Sequence, residues 1–406
     1  MKRLFILLSA AALAAMCTSA PKTVPDNLRG TWNGQLELAG LAMVLHLGDT
    51  CLLDSPDQSA YGIKAVVKDV GEDYVNVKIP EVKGGLKLHL QGDSLTGTFS
   101  QYIAKMPITM KRGPLVRNRP QTPKEPFPYS AEEVTFSNGA VTLAGTLCLP
   151  ENQDVPAVVM VSGSGKQDRD ETLMEHKPFA VLADALARAG IPSMRYDDRE
   201  CGGSTGVYAD ATTADFASDA ASAIRYLRSR GFSKVGVIGH SEGGTIAFML
   251  AGAENPDDST PDFIVSLAGM ADRGDSTILR QTARMLVLQG APEKAAQLGA
   301  KIAAKQSLKS MGKWGKYFGA LDPAPYISRI QCPVLALNGS KDYQVIPEFN
   351  LSKVDALCPQ ADCRLYPGLN HLFQHCKTGL GTEYASIEET MSPEVIADVV
   401  DWVGRQ

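Results

Sequence analysis

A chain of 406 residues exceeds what one hydrophobic core organises, so two domains and a processed N-terminus are expected. The 40 Lys+Arg against 45 Asp+Glu give a formal charge of -5, and no segment interleaves basic residues with aromatics. That balance excludes nucleic acid as a partner.

The chain opens MKRLFILLSAAALAAMCTSAPK: Lys2 and Arg3 precede an apolar run, Leu4 to Met16, too short and too near the terminus for a membrane span. Residues 1–20 therefore read as a signal peptide with cleavage near Ser19 or Ala20, and the mature chain as exported, periplasmic or secreted. The competing reading is a lipid anchor at Cys17, although Met16 stands where a bacterial lipobox has Gly or Ala. Of eight cysteines, seven remain once Cys17 leaves, an odd and scattered set unlike a disulfide scaffold. A late bridge among Cys358, Cys363 and Cys376 is the one conceivable pairing, and Cys148 and Cys332 read as buried thiols. No Cys/His spacing matches a zinc site, and no metal or other cofactor is expected.

Residues 27–112 alternate in short runs (Leu36-Glu37-Leu38, Lys64 to Val67, Lys87 to Leu90) punctuated by glycines, which predicts a small all-β sandwich or barrel. Gly30 to Gly34 and Gly97 to Phe99 are read as two edges of one sheet. Five prolines between Pro114 and Pro128 mark residues 113–130 as an extended, semi-stiff linker. From residue 131 the texture changes. Apolar runs at Ala157–Val161, Val235–Ile238, Phe263–Leu267 and Val334–Leu337 predict strands buried on both faces, hence a mostly parallel sheet flanked by helices. Helices are expected around Phe179–Leu186, from Thr213 to Gly231, and after a Ser392 cap with Pro393 in the first turn. Residues 270–323 are helical with little sheet material and form a cap, whose Met285 and Trp314 are candidate substrate contacts as well as candidate glue.

Val235 to Ile238 runs into Gly239-His240-Ser241-Glu242-Gly243-Gly244 and then a helical stretch. A serine on such a strand-to-helix turn exposes its Oγ, and the flanking glycines avoid Cβ collisions. Ser241 is therefore the candidate nucleophile. A hydroxyl needs a base, and of six histidines only His371 and His375 follow the serine as this architecture requires. His371 comes directly after the strand-like Cys363 to Tyr366 and a Pro-Gly turn; His375 is displaced by a turn if Leu372–Cys376 is helical. Asp342, after the apolar Val334–Leu337 and a Gly turn, is the acid, with Asp322 as competitor. Oxyanion donors are the N–H of Glu242 and, from the Ser162-Gly163-Ser164-Gly165 loop, Ser164 or its neighbour Gly163. Asp168 and Arg169 either line the pocket mouth or, with Asp170 and Glu171, pin that loop through ion pairs.

The Ser-Gly-Ser-Gly loop with Asp168 to Glu171, Arg195 to Arg199 leading to Gly202 to Gly206, the Gly-His-Ser-Glu-Gly-Gly elbow, Asp342 and His371 together resemble a bacterial family of two-domain carboxylesterases. These relate to the acylaminoacyl-peptidase and dienelactone-hydrolase branches of the α/β-hydrolases. The resemblance spans 131–406, and the Gly-Thr-Trp segment resembles a β-domain fused ahead of such esterases. It implies an α/β-hydrolase fold (α/β class) with a helical cap and a small-molecule acyl ester as substrate. Ser162 stands where His often precedes the oxyanion glycine, and Cys201 sits near a Gly-rich turn. Peptidase or acyltransferase chemistry on the same fold, or a glycan-binding or partner-binding role for the β-module, are the alternatives.

Overall fold

The computed structural model describes residues 23–36, 41–58, 60–151 and 155–406. The signal-peptide and Cys17 readings, and the residues Glu37 and Leu38, lie outside them. The chain divides into two compact units, 1–118 and 119–406.

The first unit is a closed antiparallel barrel of eight strands joined in sequence: β1 (Gly30–Leu36), β2 (Ala42–Leu47), β3 (Cys51–Ser55), β4 (Ala60–Val70), β5 (Tyr74–Ile79), β6 (Gly84–Gln91), β7 (Ser94–Gln101) and β8 (Ala104–Arg112). Closure comes from β8 pairing back on β1, with Trp32 opposite Arg112 and Leu36 opposite Ile108. The two segments read as edges, in β1 and β7, are thus each paired on both sides. Period-two alternation sends Trp32, Leu45, Leu88, Leu95, Phe99 and Met110 inward, where they are buried and fill the barrel. Gly97 is required by the tight crossing, since a Cβ there would lie 1.9 Å from the Lys87 carbonyl oxygen.

The linker prediction needs correction at its second half. Arg119 donates to the carbonyls of Met174, Ala385 and Ile387, and Gln121 is bonded to Thr390 and Met391, so from residue 119 the segment is fastened into the second unit.

The second unit is an eight-stranded sheet made of β9 (Ser130–Asn138), β10 (Val141–Leu149), β11 (Ala157–Val161), β12 (Ser193–Tyr196), β13 (Val235–His240), β14 (Ile264–Leu267), β15 (Val334–Gly339) and β16 (Asp362–Tyr366). Its order is β9-β10-β12-β11-β13-β14-β15-β16, with β10 antiparallel to β9 and β12 and the remaining pairs parallel. This is the α/β-hydrolase fold. One face carries α1 (Pro178–Arg188) and α9 (Pro393–Val403), whose Phe179, Leu182, Leu186, Val395 and Val399 are buried on Val158, Ile238 and Leu335. The other carries α2 (Thr213–Ser229), α3 (Glu242–Ala251) and the shorter α8 (Leu351–Leu357), with Ala220, Ile224, Ile246 and Val354 against Val159 and Val237. Between β14 and β15 come α4 (Gly274–Leu288), α5 (Glu293–Ser310) and α6 (Gly312–Ala320), all within the segment read as a cap, and then the short α7 (Ala324–Ile327) beyond it.

Two local expectations fail. Ser392 stands before α9 as foreseen, but its buried Oγ has no hydrogen-bond partner, so the helix start rests on Pro393 rather than on a side-chain cap. All seven described cysteines are free, so Cys358, Cys363 and Cys376 form no bridge. Among the described residues no helix is long and apolar enough to cross a membrane.

Candidate active site

Parallel strands all point their C-terminal ends at one edge of the sheet, and the candidate residues lie in the loops leaving that edge. Ser241 follows β13 and caps α3 with φ 54° and ψ -116°, a conformation that costs a non-glycine residue about 1–3 kcal/mol. Its neighbours make the turn possible. A Cβ on Gly239 would lie 2.1 Å from the Gly243 carbonyl oxygen, and one on Gly243 would lie 2.0 Å from that of Val161. The motif glycines are thus demanded by backbone contact on both sides of the serine. Ser241 N–H, which cannot enter the helix ladder, donates to the Leu267 carbonyl at 2.8 Å.

Asp342 and His371 follow the adjacent strands β15 and β16. Their side chains meet, His371 Nδ1 lying 2.8 Å from Asp342 Oδ2, and both residues are almost fully buried. The remaining acceptor sites of Asp342 are taken: Oδ1 by the N–H groups of Gln344 and Val345, each at 2.9 Å, and Oδ2 also by the Asn338 amide at 3.1 Å. A carboxylate so occupied is held in one orientation, and it fixes Nδ1 of the imidazole, leaving Nε2 as the nitrogen on the opposite side of the ring. Gly339 lets the His371 loop lie close, since a Cβ there would sit 2.3 Å from the Leu369 carbonyl. Asp322, the competing acid, accepts from Ala324 N–H in a turn. His375 is largely exposed and paired with Glu389; Leu372–Cys376 is turn and bridge rather than helix, so the helical offset does not exist. The two histidines are instead separated by their partners.

Glu242 opens α3, so its N–H has no acceptor within the helix and is available at the elbow. Its buried carboxyl receives Thr213 Oγ1 at 2.6 Å and Trp314 Nε1 at 2.9 Å, and also the Ser164 hydroxyl. Burial raises its pKa, against the pull of those donors. Trp314, expected as a substrate contact, thereby ties the cap to the residue after the nucleophile. Met285 is half-buried on α4 and is not among the residues lining the small cavity beside Glu242.

Three further assignments are corrected. The Gly163 N–H is donated to Glu171 Oε1 at 2.7 Å, which removes it as a candidate oxyanion donor and leaves Ser164 as the candidate from that loop. Asp168 and Arg169 do not line a pocket mouth. Asp168 Oδ1 accepts from the N–H groups of Asp170 and Thr172, and Arg169 is paired with Asp197 and Glu133. With Asp170 held by Arg195 and Lys177, the whole charged run is consumed in pinning the loop after β11.

Two buried titratable groups beside the candidate site escaped sequence reasoning. His240, eliminated because it precedes the serine, is buried with Nδ1 2.9 Å from Glu171 Oε1 and Nε2 2.9 Å from the His371 carbonyl oxygen. Burial opposes its protonation, yet the Glu171 charge and hydrogen bond hold its pKa above the ordinary imidazole value. The second is Asp198, whose pKa is pushed up to about 8 by burial, with Glu242 and Glu171 adding to the shift and Gln167 N–H and Ser162 opposing it. It lines a void of about 10 Å³, roughly one water, together with Ser162, Gly163 and Glu242. Both Glu171 and Asp198 lie in quoted motifs, but nothing in their spacing reveals that they converge. Among the described residues no group of three or more His, Cys, Asp or Glu could hold a metal ion.

Residues 138–309 match the family model described as X-Pro dipeptidyl-peptidase (S15 family). Esterase EstD of Thermotoga maritima is 28% identical over 260 residues, covering 61% of this chain and 61% of that protein, so the chain spans under two thirds of its relative's length. Among solved structures, an esterase of Pyrococcus furiosus aligns with a TM-score of 0.47 at 18% identity, covering 72% of this chain and 99% of the other. Proline iminopeptidase of Mycobacterium smegmatis aligns at 0.45 and 16%, covering 68% and 98%.

Asp198 yields a pH-dependent expectation. An acid whose folded pKa is raised is penalised where it ionises, so its contribution to stability declines as pH rises from the unfolded value near 4 to about 8. Asp198→Asn copies the protonated form, accepting from Gln167 N–H and donating to Ser162. The variant should therefore melt near wild type at pH 5 and increasingly above it towards pH 9; parallel melting curves across that range would exclude the buried-acid assignment.

Glu171→Ala strips the acceptor from two buried donors, Gly163 N–H and His240 Nδ1–H. A loss of about 3 kcal/mol is expected, as for breaking a buried charged pair. Native-state amide exchange at Gly163 should quicken well beyond that of the barrel amides.

Proposed function

We propose that this chain is an exported serine hydrolase that cleaves carboxylic esters through an acyl-enzyme, with Ser241 as nucleophile, His371 as base and Asp342 as its orienting acid. The observation that supports it most is the 2.8 Å contact of His371 Nδ1 with a carboxylate saturated by four donors, on the sheet edge where Ser241 occupies a strained elbow. The relative named an esterase supports the ester, and the opening MKRLFILLSAAALAAM supports export.

In this reading Ser241 Oγ attacks the ester carbonyl carbon as His371 Nε2 takes its proton. The tetrahedral oxyanion is met by the N–H groups of Glu242 and Ser164. The imidazolium then protonates the departing alkoxide, the acyl group stays on Ser241, and a water activated by the neutral His371 releases the carboxylic acid. Asp342 stabilises the imidazolium and keeps Nδ1 protonated. No step calls on a cofactor.

A second reading, peptide hydrolysis by the same steps, is favoured by the match of residues 138–309 to the X-Pro dipeptidyl-peptidase model. Parallel rates on p-nitrophenyl acyl esters and on Xaa-Pro anilides decide between the two: faster turnover of the anilides would reverse the preference.

Ser241→Ala should abolish covalent labelling by a fluorophosphonate probe while leaving the circular dichroism unchanged, because one hydroxyl is lost from a turn that its glycines still shape. Labelling that persists would remove Ser241 from the mechanism.

His371→Ala should lower kcat on p-nitrophenyl acetate by on the order of 10⁴ or more, as for loss of a triad base. His375→Ala, which breaks only an exposed contact with Glu389, should retain most of it. The reverse pattern in initial rates would overturn the base assignment.

A further inference from the structure

The cap has two working faces. Along α6, Trp314 and Phe318 stack on one side with ring centroids 4.6 Å apart, and Trp314 reaches Glu242. Gly312, Gly315 and Gly319 line a groove of about 800 Å³ bounded by α4, α5 and α6, the last two glycines letting α6 press closely onto Leu308 of α5. That volume lies in the range of small-molecule sites.

The chemistry of the groove is one-sided. Leu279, Ala304 and Leu308 give it an apolar floor. Its rim carries Lys301, Lys305, Lys309 and Lys316, and among the described residues none of these four is in an ion pair. Lys301, Lys305 and Lys309 follow one another at intervals of four on α5, a like-charge arrangement that destabilises a helix on its own. The rim's single acid, Asp275, is paired with Arg273. Such a strip is not a composition effect, since the whole chain is net acidic at -5. Elsewhere in this unit arginines are matched: Arg169, Arg195 and Arg199 all face carboxylates. Unmatched lysines beside an apolar floor complement a ligand that has both an anionic head and a hydrocarbon body.

We propose that this groove binds a single-chain anionic amphiphile of the fatty-acid class, its chain on the Leu279, Ala304 and Leu308 floor and its carboxylate among Lys301, Lys305 and Lys309. The site is separate from the Ser241 edge and stands on its own whether or not the chain cleaves esters. Its ligand is of the chemical class that acyl-ester cleavage would release, and α6 joins the two places through Trp314.

The test uses the full-length chain carrying Ser241→Ala, so that no turnover contributes, titrated calorimetrically with sodium decanoate below its micellar concentration and, separately, with decyl maltoside, whose head is neutral. Saturable binding of decanoate is expected, at least tenfold tighter than that of the maltoside. Adding Lys301→Glu and Lys305→Glu should weaken it by tenfold or more. Adding Lys294→Glu and Lys105→Glu, which change net charge equally at exposed positions outside the groove, should leave it within twofold. Decanoate affinity that is unchanged by the first pair, or lowered alike by both, overturns the proposal, as does equal binding of the neutral amphiphile or no binding at all. Circular dichroism of each variant guards against misfolding, and since all four lysines are exposed no packing is disturbed.

Discussion

One carboxylate oxygen holds the candidate site together. Glu171 Oε1 accepts from Gly163 N–H in the loop after β11 and faces His240 Nδ1 at the end of β13, while the other nitrogen of His240 faces the backbone carbonyl of His371 beyond β16. Three loops from three strands are thereby locked by charge-assisted bonds between buried groups. The loop after β11, the elbow and the loop that carries His371 cannot drift independently. Glu171 is itself at φ 53°, an unfavourable backbone for a residue of its size, which the surrounding ion pairs of Arg169 and Asp170 and the backbone bonds accepted by Asp168 sustain.

The electrostatics of the same region follow from how few cations reach it. Arg169 and Arg195 are spent on Asp197 and Asp170, on the outer side of the loop. Asp198 and Glu242 are left with neutral donors, and burial shifts both towards the protonated form. Burial thus disfavours negative charge on both carboxyls beside the elbow. Asp342, by contrast in its contacts, has four donors around its two oxygens.

The parallel strands and the Ser241 turn were legible because each depends on neighbours in sequence: an apolar run buried on both faces, then glycines where backbones touch. The pairing of Asp342 with His371 was legible from their order after successive strands. The Glu171–His240 link was not, since its members are 69 positions apart and meet only once β11 and β13 are side by side. The same holds for Gly163, whose N–H looks available until Glu171 arrives. The four-residue β12 is too short to show a period of its own. Likewise alternation in residues 27–112 gives the inside and outside of a sheet, but closure requires β8 to find β1, which no local pattern encodes.

That closure has a consequence for what the N-terminal unit can recognise. Each of its eight strands has a neighbour on both sides over part of its length, so no strand presents a wholly free edge for an incoming extended peptide to join. Strand donation along a whole edge is therefore closed to this barrel. Whatever it touches must be held by side chains on the outer wall or by the connections at its rims, and the barrel is by the same token shielded from edge-to-edge polymerisation.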